Sequence, residues 1–456
     1  MKTLSPRELR RVWACAAELF KPKSLFVPQS FEEWRAVTDM LSRELRLTNN
    51  REVLLTDEGL ALFQRTVAML DEFDISEGLA SYSDVSTACR HVLQDCLSDG
   101  LVPEDGAEFI KLFADKLDPK IGIHTYVVPL FGVELDGIDE VPLGSLMIRR
   151  PSKELIIQLG VENLDERLDL ALEQMKPYLW MMGAAEGTAV VSKERFVAQC
   201  RLACGLLAIV VASMYERGAH GFRIGVITSP EEAHGRAVSM SWTDAKRELI
   251  VHLKSVRAQP FKINADLAAN ISHSPVGRIA FRVLEAANRT ALESAWVKAV
   301  FWYSDAHRDQ TPVMRLLKFW SCAEVFFSGD RRDITESVSF GLAASLVYRS
   351  EPFVDPRELE DLKKRLKRMY GERSEATHQA SHSHVSDKDV ADLSQWIAWM
   401  LFSMVAFIAA GLPTPQDVLA ALRQSAGVAD KPAPNRFIVA LRWVLSRFRS
   451  RKTTRV

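Results

Sequence analysis

The chain has 456 residues, of which 47% are hydrophobic and 26% charged, and its formal net charge is -1. The length predicts about three domains, and the composition excludes a disordered protein. The near-zero charge excludes a uniformly basic nucleic-acid coat, so any contact with phosphates must come from a local patch. The six cysteines have no CxxC pairs, so a zinc ribbon is not expected. Scattered cysteines and the lack of an apolar signal sequence favour a cytoplasmic protein.

Residues 1–118 are predicted to form a helical N-terminal domain. Apolar periodicity predicts five helices, which are Pro6–Phe20, Phe31–Leu45, Glu58–Phe73, Ser83–Leu97 and Ala107–Leu117. Ser30 and Glu33 have the spacing of a capping box, which supports the start of the second of these helices, Phe31–Leu45.

Part of this domain has a possible DNA-binding pattern. The stretch from VPQSFEEWRAVTDMLSREL to LLTDEGLALFQ partly resembles a LysR-type winged helix-turn-helix, in which a recognition helix is followed by a short wing. Residues 28–65 nevertheless carry five basic and seven acidic side chains, a net charge of 5 - 7 = -2. Because a surface that meets DNA must be basic, we do not expect DNA binding, and a protein-contact module is the alternative.

Residues 119–280 are predicted to form a central α+β domain. Clusters of β-branched residues between Gly, Pro and Asp predict strands in IGIHTYVVPLFGVELDG, SLMIRRPSKELIIQLG, FRIGVITS, RAVSMSW and ELIVHLKSV. A long apolar helix, Phe196–Tyr215, follows the second of these segments. Cys200 and Cys204 lie one turn apart on it, but two ligands do not make a tetrahedral site, so we favour buried core positions over a metal site.

Residues 281–415 are predicted to form an all-α helix bundle, which makes the chain a multidomain α+β protein. Its last helix contains Trp396–Leu412, which has no charge over 17 residues. That is close to the ~20 apolar residues that span a bilayer, but it fits equally well a central helix covered on all sides. We favour the buried helix. Residues 416–456 are predicted to be a Pro-rich linker and a basic amphipathic C-terminal helix.

The segment YGERSEATHQASHSH, Tyr370–His384, is the strongest candidate for a functional site. We expect a helix break at Gly371, which would put Arg373 and His378 in or near the first turn of the next helix. A helix start attracts phosphate, arginine adds a bidentate fork, and histidine exchanges a proton near neutral pH. On an unbroken helix, five positions would separate the two residues by about 140°. Either Arg373 lies before the helix proper or a second copy of the chain completes the site, and the sequence leaves both arrangements open.

The order of elements around this segment is similar to that of a known family. MRLLKFWSCAEVFF and ITESVSFGLAASLVY precede RMYGERSEATH and a long apolar helix, and this order resembles the Apea-like branch of the HEPN families over residues 285–412. Arg373 and His378 match the family's arginine and histidine motif. Ser374 occupies a position that is often Asn, Asp or His in active members.

The resemblance implies a metal-independent ribonuclease that works as a dimer. In that chemistry the ribose 2′-hydroxyl attacks the adjacent phosphate, His378 moves a proton, and Arg373 stabilises charge on the phosphoryl oxygens. Ser374 would orient either side chain through its hydroxyl group. No cofactor and no metal are expected.

Several residues are candidates for supporting roles. Glu324 lies on an apolar helix face and needs a partner, for which Arg373 or Arg349 is expected, and Tyr370 precedes the motif. Five cations before the motif either guide RNA or form a solvated helix face; they are Lys363, Lys364, Arg365, Lys367 and Arg368.

The histidines of this segment also allow a metal interpretation. His378 and His382 have the spacing of neighbours on one helix face, and His384, Asp387 and Asp389 follow. No HExxH pattern accompanies them, since Gln379 follows His378, and we therefore favour metal-free chemistry.

The sequence thus predicts an RNA endonuclease, a homodimer or higher homo-oligomer. If its biology follows the family, we expect a toxin or anti-phage defence effector, with the N-terminal and central regions as sensor and restraint and with a regulatory partner protein. A non-catalytic HEPN module that binds RNA or a partner protein is the first alternative. A membrane-associated protein, using the Trp396 segment or a tail with Trp443 and Phe448, is the second, without integral insertion being expected.

Overall fold

The computed structural model shows a mixed α+β protein in which helices dominate. It describes residues 2–29, 33, 40–48, 52–158, 166–214, 223–228, 236–241, 250–255, 260–309, 311–329, 333–348, 353–379 and 385–427. The chain forms two compact units. The first consists of Met1–Tyr126 and Ala184–Phe196, and the second of Val127–Gly183 and Val197–Val456.

The first unit combines helices with a small sheet. Its helices are α1 (Pro6–Leu19), α2 (Met40–Arg43), α3 (Asp57–Glu72), α4 (Tyr82–Asp99) and α5 (Gly106–Leu117). Its strands are β1 (Leu25–Phe26), β2 (Glu44–Arg46) and β3 (Glu52–Leu55), which pair antiparallel in the order β1-β3-β2.

Four of the five helices predicted for this region are confirmed to within two residues, because their caps are strong. Ser5 and Glu8, for example, form a capping box before α1. The prediction of Phe31–Leu45 is wrong at its end, since Leu45 belongs to β2. The rest of that segment lies mainly outside the described residues, as does Ser30, so the winged-helix resemblance stays a prediction.

The second unit contains most of the strands. They are β4 (Gly122–Phe131), β5 (Val133–Leu135), β6 (Glu140–Leu143), β7 (Leu146–Arg149), β8 (Leu179–Gly187), β9 (Gly225–Val226), β10 (Arg236–Ser241), β11 (Ile250–Ser255) and β12 (Phe261–Ile263). Five of them form a sheet in the order β6-β7-β8-β4-β9, while β12 pairs with β5 in parallel and β10 with β11 antiparallel.

The strand predictions for the central region are confirmed at β4, β5, β7, β9, β10 and β11. The prediction of a strand through ELIIQ is wrong, because Lys153–Gln158 is a helix, α6. Pro151 precedes this segment, and the Ser152 hydroxyl accepts a hydrogen bond from the backbone N–H of Leu155, which is the geometry of an N-cap.

The remaining helices build the second unit's core. They are α7 (Glu166–Met175), α8 (Ala189–Met214), α9 (Ala265–His273), α10 (Pro275–Glu285), α11 (Ala291–Arg308), α12 (Pro312–Phe327), α13 (Ile334–Val347), α14 (Leu359–Gln379), α15 (Asp387–Ala409) and α16 (Pro415–Ser425). Helices α10 to α16 share one hydrophobic core with part of α8, in which Trp296, Trp320 and Phe327 are buried.

Helices α8 and α15 are long and apolar enough to cross a membrane, by length and composition alone. In α15, 78% of the most apolar 18-residue stretch is buried inside the fold, and in α8 50% of the corresponding stretch is buried. A helix can be hydrophobic all round when other helices cover it. The prediction of a buried central helix at Trp396–Leu412 is therefore supported, and the described structure gives no indication of an integral membrane protein.

The bundle does not end at residue 415, as the prediction of a linker from residue 416 would require. Helix α16 begins at Pro415, and its Val418, Leu419 and Leu422 are buried in the bundle core. The predicted basic helix, with Trp443 and Phe448, lies outside the described residues.

The close contact between α12 and α13 leads to a stability prediction. A Cβ atom at Gly341 of α13 would lie 2.4 Å from Cγ of Phe327, whose ring is fully buried and cannot move aside. We expect Gly341→Ala to lower the free energy of unfolding by about 1–3 kcal/mol, although alanine has the higher helix propensity. Urea unfolding measures the difference.

A second glycine supplies the matched control. A Cβ atom at Gly371 of α14 has no neighbour within 4 Å. Gly371→Ala should therefore stabilise the protein by about 0.5–1 kcal/mol, because it gains helix propensity without a clash. If both substitutions shift the urea midpoint in the same direction, this account of the helix contacts is wrong.

Candidate active site

The motif arginine is held by a carboxylate from a neighbouring helix. Glu324 belongs to the last turn of α12, and both of its carboxylate oxygens lie 3.0 Å from Nη2 of Arg373 on α14. The Tyr370 hydroxyl, one turn earlier on α14, donates a hydrogen bond of 2.7 Å to the same carboxylate. The predicted contact between Glu324 and Arg373 is thus confirmed, whereas Arg349 lies outside the described residues.

The tyrosine of this cluster is fixed by aromatic contacts. Its ring meets Trp320 of α12 edge to face, with ring centroids 5.1 Å apart, and the Arg373 guanidinium lies 5.5 Å from the Tyr370 centroid. Burial and the neighbouring Glu324 carboxylate raise the pKa of Tyr370 to about 12. The hydroxyl therefore keeps its proton at neutral pH and continues to donate it to Glu324.

Arg373 is oriented and still accessible. Its side chain is 23% exposed and that of Glu324 is 20% exposed. The Arg373 Nε atom is buried without a hydrogen-bond partner among the described residues, as is Oε2 of Glu372. Burial also raises the pKa of Glu372. Trp320 and Glu372 were not predicted from the sequence, although Trp320 is one helical turn before Glu324 and shares its face.

The predicted helix break at Gly371 is wrong. Helix α14 runs without interruption from Leu359 to Gln379 and includes both motif positions. One internal glycine costs a helix only about 1 kcal/mol, and the buried Met369 and Tyr370 anchor α14 on the bundle. Arg373 therefore lies near the C-terminal end of a helix, not in the first turn of one, and the anion attraction of a helix start does not apply.

The two motif positions are about 140° apart around the axis of this continuous helix. The description of side chains in α14 ends at Thr377, so the imidazole of His378 lies outside it. Of the two arrangements that the sequence left open, an arginine placed before the helix is excluded. Completion of the site by a second copy of the chain stays a prediction.

Three of the five predicted RNA-binding cations are paired with carboxylates on the bundle surface. Lys363 and Lys367 both bind Glu336 of α13, the first at 3.3 Å. Lys364 lies 3.5 Å from Asp361, and both side chains are exposed. The hydrogen bond from Lys367 lowers the pKa of Glu336 most, and the charge and hydrogen bond of Lys363 lower it further.

The other two cations bind two buried aspartates of α15. Arg365 donates hydrogen bonds of 2.7 Å to Asp389 and 2.6 Å to Asp392. Arg368 bonds to Asp389 at 3.0 Å and also contacts Glu372. From the sequence, Asp389 was a candidate only for a metal site, and no partner was predicted for Asp392. Their spacing, three residues apart in the first turns of an apolar helix, was the available signal for a buried pair.

The remaining predicted residues make few contacts. Ser374 is partly buried, and its hydroxyl bonds neither Arg373 nor any other residue of the described part. His382 and His384 lie outside the described ranges. Within those ranges no three His, Cys, Asp or Glu side chains are grouped so that they could hold a metal ion. Cys200 and Cys204 are buried in α8, and burial raises the pKa of Cys204 to about 12.

Comparison with known proteins gives no assignment, since no family model, no curated protein and no solved structure matches the chain. The functional interpretation therefore depends on the geometry around Arg373.

Proposed function

We propose that the bundle formed by α11 to α16 is a HEPN-type endoribonuclease that cleaves RNA without a metal ion. One observation carries the proposal: Arg373, the motif arginine, is held between Glu324 and Tyr370 and still keeps part of its surface accessible. The hydrogen bond from Tyr370 fixes the carboxylate that orients Arg373. A preorganised guanidinium is what stabilisation of a developing phosphoryl charge requires.

The proposed reaction forms a bond between the ribose O2′ and phosphorus and breaks the bond between phosphorus and O5′. His378 accepts the proton of the 2′-hydroxyl, and a proton returns to the leaving O5′. The products are a 2′,3′-cyclic phosphate and a 5′-hydroxyl. Arg373 stabilises the negative charge on the phosphoryl oxygens, and Glu324 positions Arg373.

The proposal includes a homodimer. Arg373 and His378 occupy positions about 140° apart on one continuous helix, so that one helix alone does not bring the two positions to the same face. Two copies related by a twofold axis can place Arg373 of one chain and His378 of the other at one cleft, twice per dimer. A toxin or anti-phage effector under the control of a partner protein is the biological setting that we propose for such an enzyme.

The paired cations of α14 favour a second candidate function. Since Lys363, Arg365, Lys367 and Arg368 are all bound to carboxylates, they leave little uncompensated charge for an RNA backbone. A non-catalytic bundle that binds a partner protein is consistent with this.

A direct assay separates the two candidates. Purified protein is incubated with labelled single-stranded RNA in excess EDTA, and both cleavage and binding are measured. The nuclease proposal predicts cleavage that EDTA does not inhibit. Intact RNA at high protein concentration, whether the RNA is bound or free, contradicts it and favours the non-catalytic module.

A further inference from the structure

The second unit contains an apolar cleft of about 640 Å³, separate from the Arg373 cluster. The C-terminal half of α8 and the C-terminal half of α15 form its apolar walls, with Leu206, Val210, Leu401 and Val405 among the lining residues. Helices α9 and α10 and Trp296 of α11 complete it. This volume and this lining are those of a site for one small organic molecule.

Helix α8 has apolar surface that the described fold does not cover. It carries no charged residue from Leu202 to Met214, yet only 50% of its most apolar 18-residue stretch is buried. Part of the uncovered surface lies in the cleft, where Leu206 and Val210 are partly exposed and Met214 is 59% exposed. Water against such a surface is unfavourable, so an apolar occupant would be stabilised there.

Apart from Ser213 of α8, whose hydroxyl donates a hydrogen bond to the Val210 carbonyl, the polar residues of the cleft come from one place, the junction of α9 and α10. Asn270, His273, Ser274 and Arg278 line it there. The Ser274 hydroxyl is already used, because it caps α10 by accepting a hydrogen bond from the N–H of Gly277. Arg278 is exposed and forms no ion pair with a carboxylate in the part of the chain that the structure describes. The cleft thus has one cationic end and apolar walls.

We propose that this cleft binds a small amphipathic acid, an unbranched alkyl chain with a carboxylate head group. The alkyl chain packs between α8 and α15, and the carboxylate binds Arg278. Since α8 belongs to the central region and α15 to the bundle, such a ligand would contact both. The proposal does not depend on the nuclease activity, because its test measures ligand binding alone.

The test uses the full-length protein and displacement of 11-(dansylamino)undecanoic acid, a fluorescent fatty-acid probe. Octanoate, decanoate and dodecanoate should displace it at one site per chain, with an affinity that rises about fourfold for each added methylene. Dodecanol lacks the charge and should bind at least about tenfold more weakly than dodecanoate.

Two variants locate the site. Arg278→Gln should weaken dodecanoate binding about tenfold or more while leaving dodecanol binding unchanged. Val210→Trp should fill the cleft and abolish binding of both, with the thermal unfolding midpoint confirming that the variant is folded. Arg357→Gln, an exposed arginine outside the cleft, is the matched control and should bind as the wild type does.

Several results would overturn the proposal. They are no saturable displacement by any acid, equal affinity for dodecanoate and dodecanol, wild-type binding by Arg278→Gln and Val210→Trp, and binding seen only with micelles or lipid vesicles. The last result would indicate a membrane-contact surface instead of a closed ligand site.

Discussion

Replacement of His378 by alanine is expected to slow RNA cleavage by at least about 100-fold, because the 2′-hydroxyl then loses the group that accepts its proton. Arg373→Lys is expected to have an effect of similar size. Lysine keeps the positive charge beside Glu324 but not the planar fork that binds two phosphoryl oxygens at once. Initial cleavage rates on a labelled oligonucleotide in EDTA measure both effects.

The controls for this prediction separate chemistry from folding. His382→Ala changes a neighbouring histidine outside the motif and should cleave at the wild-type rate. The thermal unfolding midpoint of Arg373→Lys should stay within about 2 °C of the wild type, since lysine keeps the charge beside Glu324, and the midpoint of each histidine variant shows whether that variant is folded. Wild-type cleavage by pure His378→Ala protein would exclude this histidine from the reaction.

The largest effect on stability is expected for Arg365→Met. Arg365 binds Asp389 and Asp392, and the Asp392 side chain is only 1% exposed. Removal of the guanidinium takes away the hydrogen bonds and the positive charge that Arg365 supplies to both carboxylates. Because Arg365 itself is 30% exposed and water weakens the pair, we expect a loss of about 2–4 kcal/mol in the free energy of unfolding. Urea unfolding measures the loss.

Lys364→Met is the matched control on the same helix. Its ion pair with Asp361 is exposed on both sides, and the substitution should change the stability by less than about 0.5 kcal/mol. The double variant Arg365→Met/Asp392→Asn should regain part of the loss, because the buried carboxylate that lost the guanidinium is replaced by a neutral amide. An Arg365→Met protein as stable as Lys364→Met would show that the network adds nothing to the bundle.

The same network gives the stability a defined pH dependence. Burial raises the pKa of Asp389, but hydrogen bonds from Arg365, Arg368 and Ser386 outweigh this and hold it below its usual value. A carboxyl group whose pKa is lowered by folding stabilises the protein above its ordinary pKa of about 4, and this contribution is lost as the pH falls below that value. In Arg365→Met the loss of stability between neutral and acid pH should be smaller.

The sequence allowed the helical part of the fold to be predicted well, because the caps and the apolar stripes are local signals. Pro6–Leu19 and Gly106–Leu117 begin where serine or aspartate side chains cap them. The sheet of the first unit was missed because its strands have only two to four residues. Strands that short carry almost no periodicity, and only tertiary pairing specifies them.

Two errors have the same cause, which is that the intrinsic structural preference of a residue or short stretch was given too much weight. Gly371 predicted a helix break, yet tertiary contacts of Tyr370 and Arg373 keep α14 continuous. The apolar ELIIQ stretch predicted a strand, but the Ser152 cap starts a helix there. In both places a contact between side chain and neighbour outweighs the intrinsic preference of the residue.

The candidate site was partly predictable. The apolar face around Glu324 required a partner for this carboxylate, and the motif supplied Arg373. The network of Arg365 with Asp389 and Asp392 was not predictable as such, because it depends on the packing of α14 against α15. A run of cations alone does not reveal which of them are neutralised by neighbouring helices.

The most direct test of the ribonuclease proposal compares two oligonucleotides that differ only in one 2′-hydroxyl group at the cleavage position. Wild-type protein in EDTA should cleave the all-ribose substrate to a 2′,3′-cyclic phosphate and a 5′-hydroxyl, and should leave the 2′-deoxy linkage intact. Equal cleavage of both substrates, or products that carry 5′-phosphates, would contradict attack by the 2′-hydroxyl and with it the role proposed for His378 and Arg373.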